Sequence, residues 1–409
     1  MRRILFFAEA VTLAHVARPV ALAMTLDRTK FEPVIACAPR YERFAASGPW
    51  QTLPLDSIGS QEFAIALAKG RPLYDAPTLR RYVKEDLEHI SRIKPDMIVG
   101  DFRLSLSVSA RLVGIPYISV INAYWSPYYL EGRFPLPVLP ITRLMPLPLA
   151  AALFRLAQPS AFRFHCRPLN RVRRENGLPS LGSDLRRIYA DADFAAYPDI
   201  PELFPIDNLP PNHGYLGPVL WSPPAPKPTW WECLPVARPI IYVSMGSSGQ
   251  ASVLAMVLRA LERLPVTVIA STAGGAAPRE RQANSYIADY LPGSEAAARS
   301  DLVICNGGSL TCQQALMAGV PVIGIASNMD QFLNMAALVR AGVGVLLRSD
   351  RIDMERIRAA AVNVLGAGAI ARRASRFARQ LASRSLGESF SAILQRALNG
   401  SLTPPAPVD

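Results

Sequence analysis

Residues Asp301–Asn334, D-L-V-I-C-N-G-G-S-L-T-C-Q-Q-A-L-M-A-G-V-P-V-I-G-I-A-S-N-M-D-Q-F-L-N, leave few folds open to this chain. Leu302–Cys305 is a short apolar run, the pattern of a buried strand. Asn306-Gly307-Gly308 reads as a tight turn, and Ser309 as the N-cap of a helix. Leu310, Ala315, Leu316 and Ala318 give that helix an apolar side before Gly319 and Pro321 stop it, and Val322–Ala326 reads as the next strand. Two strands joined through a helix are expected to lie parallel. Two glycines ahead of a helix N-terminus let the backbone approach an anion, with N–H groups and the helix dipole aimed at it. Asp330-Gln331 follows the second strand at its carboxyl end, the rim where open α/β sheets bind ligands. A carboxylate beside an amide can accept from and donate to sugar hydroxyls.

The amino-terminal half repeats this plan. Arg3–Ala8 and Phe31–Ala36 read as strands, with Val16–Leu26 helical between them. The first turn, A-E-A-V-T-L-A-H, holds no glycine, which disfavours a dinucleotide-binding redox enzyme. It does place His15 near a helix start, where the imidazolium is disfavoured and a neutral base is kept. Lys94–Phe102 reads as a turn and a buried strand that ends on Asp101, with the helix Leu104–Val113 and the strand Ile115–Ile121 following. A carboxylate on one ring nitrogen would orient His15 as a general base.

The stretch Asp301–Asn334 resembles the donor-binding signature of the UDP-glycosyltransferase superfamily, the inverting family-1 glycosyltransferases of GT-B fold. The matching positions are Asn306, Gly307, Gly308, Thr311, Gln314, Ala318-Gly319-Val320-Pro321 and Asp330-Gln331-x-x-Asn334. Two of them depart from the pattern: the family's His is Asn306 and its ribose-holding Glu is Gln314. Gln is the poorer acceptor for two hydroxyls, so a deoxyribose donor such as a dTDP-sugar is permitted beside the UDP-sugar that the resemblance favours. The resemblance extends to Gly246-Ser247-Ser248-Gly249 after the strand Pro239–Met245, and to Tyr290 before Pro292-Gly293, where Gly293 replaces the usual Gln or His. It also covers His15, with Ala14 in place of the family glycine, and Asp101.

What the resemblance implies is an α/β chain of two Rossmann-like doubly wound domains facing across a cleft. The expected boundaries are 1–218 for the acceptor domain, 219–238 for a Pro-rich linker, 239–385 for the nucleotide-sugar domain, and 386–409 for a helix that returns to the first domain and a flexible tail. Implied donor residues are Ser247, Tyr290, Asn306, Gly307, Gly308, Ser309, Thr311, Gln314, Asp330 and Gln331. Tyr124, Trp125 and Tyr128, in the Pro- and aromatic-rich stretch from Asn122 to Leu156, suit an apolar, aromatic or lipid-like acceptor. The implied reaction is metal-free and uses a nucleotide-diphosphate sugar as co-substrate, with no other cofactor. An epimerase or hydrolase of the same fold, and a non-catalytic sugar-nucleotide-binding protein, are the alternatives.

Composition adds limits. Five Cys with no C-x-x-C give neither a disulfide framework nor a zinc site, so a cytoplasmic location is expected. No apolar run reaches the roughly 18 residues a membrane span needs. The net charge is +12, with arginines grouped at Arg155, Arg163, Arg167, Arg171, Arg173 and Arg174 and again at Arg372, Arg373, Arg376 and Arg379. No nucleic-acid motif accompanies them, which leaves a solvated face or peripheral contact with an anionic membrane surface.

Overall fold

The computed structural model describes residues 1–130, 134–235, 237–246, 251–278 and 282–398. They fall into two compact units: Met1–Gly132, Ala152–Val219 and Ser385–Asp409 in one, Arg133–Ala151 and Leu220–Arg384 in the other. Each is built on a parallel sheet. The first holds β1 (Arg2–Ala8), β2 (Phe31–Cys37), β3 (Gln51–Pro54), β4 (Met97–Asp101), β5 (Tyr117–Val120), β6 (Phe194–Tyr197) and β7 (His213–Tyr215), in the order β3-β2-β1-β4-β5-β6-β7. The second holds β8 (Ile240–Ser244), β9 (Thr267–Ser271), β10 (Ser285–Ala288), β11 (Leu302–Cys305), β12 (Val322–Ala326) and β13 (Gly344–Arg348), in the order β10-β9-β8-β11-β12-β13.

Helices cover both faces, so the central strands are apolar runs without alternation: β4, β8, β11 and β12 are buried at every residue. Strand order reverses direction between β1 and β4 in one sheet and between β8 and β11 in the other. At such a switch point the connections leave toward opposite sides and open a crevice at the carboxyl ends. His15 and Asp101 follow β1 and β4; Gly246 and Asn306 follow β8 and β11.

Two stretches differ from the sequence expectation. Residues 219–238 are not a free linker: Trp221 and Trp231 are buried, and Arg299 lies over the Trp231 ring at 4.7 Å. The Pro-rich run is divided: its early part stays with the first unit, while Val138 donates its N–H to Ser327 O (2.8 Å) and Thr142 bonds Asp350 (2.6 Å) in the second. Its end then starts a helix of 29 residues, Leu147–Glu175, that carries Pro159 and Pro168 inside it. The helix Leu386–Leu398 packs on the first sheet, with Phe390 against Phe6 at 6.3 Å and Arg396 over Phe194. The tail beyond it, read as flexible, lies outside the described residues.

Candidate active site

In the first unit, His15 is the second residue of the helix Ala14–Met24, and Asp101 closes β4. Ala8 pairs with Asp101 across β1 and β4, which brings the following turn alongside. His15 Nδ1 lies 2.6 Å from Asp101 Oδ1, with the imidazole partly exposed and the carboxylate fully buried. A carboxylate only accepts, so this contact assigns the hydrogen to Nδ1 and leaves Nε2 as the basic nitrogen. The buried Arg18, one turn beyond His15, sits 3.6 Å from Asp101 Oδ2 and supplies the opposite charge a buried carboxylate needs. Arg18 also donates to Asn122 Oδ1 (2.7 Å), and Asn122 donates to Asp199 (3.1 Å), so the dyad ends a buried polar chain. Arg18 has a sequence signal, its i+3 spacing from His15. Asn122 and Asp199 have only their places just past β5 and β6.

Phe102, next to Asp101, holds φ +60, a conformation that costs an L residue about 1–2 kcal/mol. The gain is visible: its ring stacks on His15 at 4.9 Å and 19°. Tyr189 packs on Phe102 at 5.4 Å and on Trp125 at 5.1 Å, so aromatic surface runs from the imidazole to Trp125. Arg103 anchors the turn from behind. Its buried guanidinium reaches Glu9 (2.9 Å), Asp86 (3.0 Å) and Glu85 (2.9 Å) and lies over Tyr82. Burial raises the Glu9 carboxyl above its ordinary value, with Arg103 opposing. None of Phe102, Arg103 or Tyr189 was singled out in the sequence.

The acceptor aromatics separate. Trp125 is 8% exposed but joins the row that ends at His15, while Tyr128 is 41% exposed and sits edge-on to His213. Tyr124 is a correction: it is 1% exposed and packed on Phe204 at 5.1 Å, a core side chain rather than a pocket wall.

In the second unit, Gly307 holds φ +80, and a Cβ there would stand 2.7 Å from Met335. Asn334 Nδ2 donates to Gly307 O (2.8 Å), so the motif's last residue braces the turn. Two expectations change. The helix runs Ser309–Met317 with Gly308 as its N-cap, so Ser309 is the first helical residue and makes no side-chain cap. The Gly307 N–H donates to Cys305 Sγ (3.3 Å) and the Gly308 N–H to Asn306 Oδ1 (3.0 Å), so neither is free for an anion. The N–H groups of Leu310 and Thr311, in the partly exposed first turn, have no partner within the helix. A Cβ on Gly246 (φ +66) would stand 3.3 Å from the Asn306 amide nitrogen, so the β8 and β11 turns converge there. Ser247 lies outside the described residues.

Gln331 holds its own loop with its side-chain oxygen. Its Oε1 accepts from Ser327 N (2.8 Å) and Oγ (3.0 Å) and from Asn328 N (3.3 Å), the capping box of the helix Met329–Arg340. That oxygen is therefore engaged within the loop, while Asp330 beside it stays partly exposed. Gln314 donates to Trp221 O (2.7 Å), and a Cβ on Gly293 would come within 2.5 Å of its Oε1. Gln314 and Gly293, both departures from the family pattern, are thus one packing solution: a carboxylate could not donate to Trp221, and a side chain at 293 would displace the amide. Tyr290 is partly exposed, with its hydroxyl against the backbone of Gly274.

Asp191-Ala192-Asp193 has the Asp-x-Asp spacing associated with divalent cations, but Arg173 pairs with Asp191 (2.8 Å) and Arg111 with Asp193. Among the described residues no three His, Cys, Asp or Glu side chains are grouped to hold a metal ion.

A parallel doubly wound sheet in each unit, with polar groups at both switch points, defines a GT-B protein. The comparisons agree. Residues 255–394 match the family model "Erythromycin biosynthesis protein CIII-like, C-terminal domain". A "PGL/p-HBAD biosynthesis rhamnosyltransferase" of Mycobacterium bovis (strain BCG / Pasteur 1173P2) is 54% identical over 92% of this chain and 84% of its own length. A "PGL/p-HBAD biosynthesis glycosyltransferase" of Mycobacterium tuberculosis (strain ATCC 25177 / H37Ra) is also 54% identical, over 92% of this chain and 87% of its own. A solved spinosyn rhamnosyltransferase complexed with thymidine diphosphate superposes with a TM-score of 0.69 at 19% identity, covering 97% of this chain and 100% of that one, a likeness of fold. The chain belongs to the bacterial UDP-glycosyltransferase family and is a glycosyltransferase.

Proposed function

We propose that this glycosyltransferase moves a rhamnosyl group, with inversion at the anomeric carbon, from a nucleoside-diphosphate sugar to a hydroxyl of an apolar, aromatic or lipid-linked acceptor. The observation that carries the reading is the 2.6 Å contact of His15 Nδ1 with Asp101 at the switch point of the first sheet. His15 Nε2 takes the acceptor's hydroxyl proton while the Asp101 carboxylate stabilises the imidazolium that forms. The acceptor oxygen bonds to C1, and the bond from C1 to the diphosphate oxygen breaks, so the nucleoside diphosphate leaves with its electron pair. The first-turn N–H groups after Gly308 and the Asn306 amide offset the charge gathering on the diphosphate. The aromatic row from Phe102 to Trp125 favours an acceptor with an apolar or aromatic body. The sugar is carried over from the relative named for rhamnosyl transfer.

For the nucleotide we favour thymidine diphosphate over UDP. A carboxylate at position 314 could hold two ribose hydroxyls. Gln314, whose amide nitrogen is bound to Trp221, has one carbonyl oxygen to offer, and a deoxyribose presents one hydroxyl there. Initial rates with paired dTDP- and UDP-rhamnose test this against a phenol-bearing lipid acceptor. The expected result is acceptor-dependent release of nucleotide and faster turnover of the dTDP-sugar. A preference for UDP removes the nucleotide assignment, and release that ignores the acceptor removes the transfer.

A further inference from the structure

The helix Leu147–Glu175 is packed along only part of its length. From Phe162 onward it follows the usual rule, with Phe162, Cys166, Leu169 and Val172 buried. Before that, Ala152-Leu153-Phe154-Arg155-Leu156-Ala157 is apolar at all but one position, yet none of these side chains is buried. A helical segment apolar on most sides is ordinarily covered by something. Leu153, Leu156 and Phe164 are 40%, 80% and 47% exposed. Steps of three and four residues continue their line through Ser160 and Arg163 to Arg167, Arg171 and Arg174, all exposed. One face is therefore oily at its start and cationic at its end.

The helix carries six arginines against one carboxylate, Glu175, which Arg80 and Arg171 share. Among the described residues, Arg163, Arg167 and Arg174 enter no ion pair. From Leu153 to Phe164 the helix rises roughly 16 Å. That is too short to cross a bilayer, and no helix among the described residues is long and apolar enough to do so. Nucleic acid would match the arginines but leave the leucines in water.

We propose that this face docks on an anionic membrane surface. Leu153, Leu156 and Phe164 enter the boundary between headgroups and acyl chains, and Arg163, Arg167 and Arg174 rest on lipid phosphates. The test is sedimentation of the full chain with vesicles of phosphatidylcholine alone and of phosphatidylcholine mixed with phosphatidylglycerol. Binding should appear with the mixed vesicles and fall as salt is raised. Replacing Arg163, Arg167 and Arg174 with Gln should weaken it about fivefold per arginine. Leu153→Gln, Leu156→Gln and Phe164→Gln together should abolish it, with the unfolding temperature unchanged because the side chains are exposed. Equal binding to both vesicles, undiminished binding of either triple variant, or capture by RNA in place of vesicles would overturn the proposal. The readout involves no sugar transfer, so it stands or falls apart from the proposed reaction.

Discussion

The two switch points solve different problems with different materials. At β1 and β4 the chain concentrates charge: the partly exposed His15 ends a chain of the buried Asp101, Arg18, Asn122 and Asp199, and Arg103 with Glu9, Asp86 and Glu85 forms a second behind Phe102. At β8 and β11 it uses small residues, backbone and sulfur. Gly246 and Gly307 hold positive φ, and beneath them Cys305 and Cys312 stand 3.7 Å apart with Met335 3.8 Å from Cys312. Moving a proton needs a titratable group held in one tautomer, which takes side chains and their partners. Receiving an anion needs dipoles fixed in place, which the backbone supplies once bulky side chains are kept away. The first site should therefore fail by losing a side chain, and the second by gaining one.

The largest effect follows on the first side. His15→Ala should lower kcat about a thousandfold, roughly 4 kcal/mol in the barrier, while calorimetry finds nucleotide affinity unchanged. Gly307→Ala should act in the opposite manner, through strain at φ +80 and the 2.7 Å approach to Met335. About 3–4 kcal/mol of stability should be lost in urea melts, together with nucleotide affinity.

A titration sharpens the contrast further. Burial pushes the His213 imidazole down to about 4 from the ordinary 6.5. In the unfolded chain it protonates first as pH falls, so its stabilising share is whole above pH 6.5 and is lost on the way down to about 4. That share is up to about 3 kcal/mol. His89 and His165 shift in the same direction, also by burial. Urea melts across this window should show a shallower slope for His213→Gln than for the native chain. The smallest effect is at Gln314→Glu. The introduced carboxyl faces the Trp221 carbonyl and can donate only when protonated, so about 2 kcal/mol should be lost at neutral pH and partly recovered in acid.

Much of this arrangement was legible before any coordinates. The run from Leu302 to Ala326 announces strand, turn, helix and strand because its signals are local: an apolar run, two glycines, then Gly and Pro. His15 and Asp101, far apart in sequence, were placed together because both sit at strand ends of a parallel sheet, whose geometry is general. Arg103 was not legible, since its partners come from residues 9, 85 and 86 and no short-range pattern links them. The grip of Gln314 on Trp221 was hidden for the same reason, in a Pro-rich stretch that reads as linker. The Ser309 cap and the free Gly307 and Gly308 amides were misread by one residue, the scale at which a side chain such as Asn306 decides where a turn ends.

The central claim is that Asp101 holds His15 with its proton on Nδ1 and its lone pair on Nε2. Nitrogen-15 NMR of the ring, assigned by comparison with His15→Gln, measures this at neutral pH. The account predicts a protonated Nδ1 and a bare Nε2, with the signals moving when nucleotide and acceptor are added. A ring protonated on Nε2 with a bare Nδ1 would contradict it.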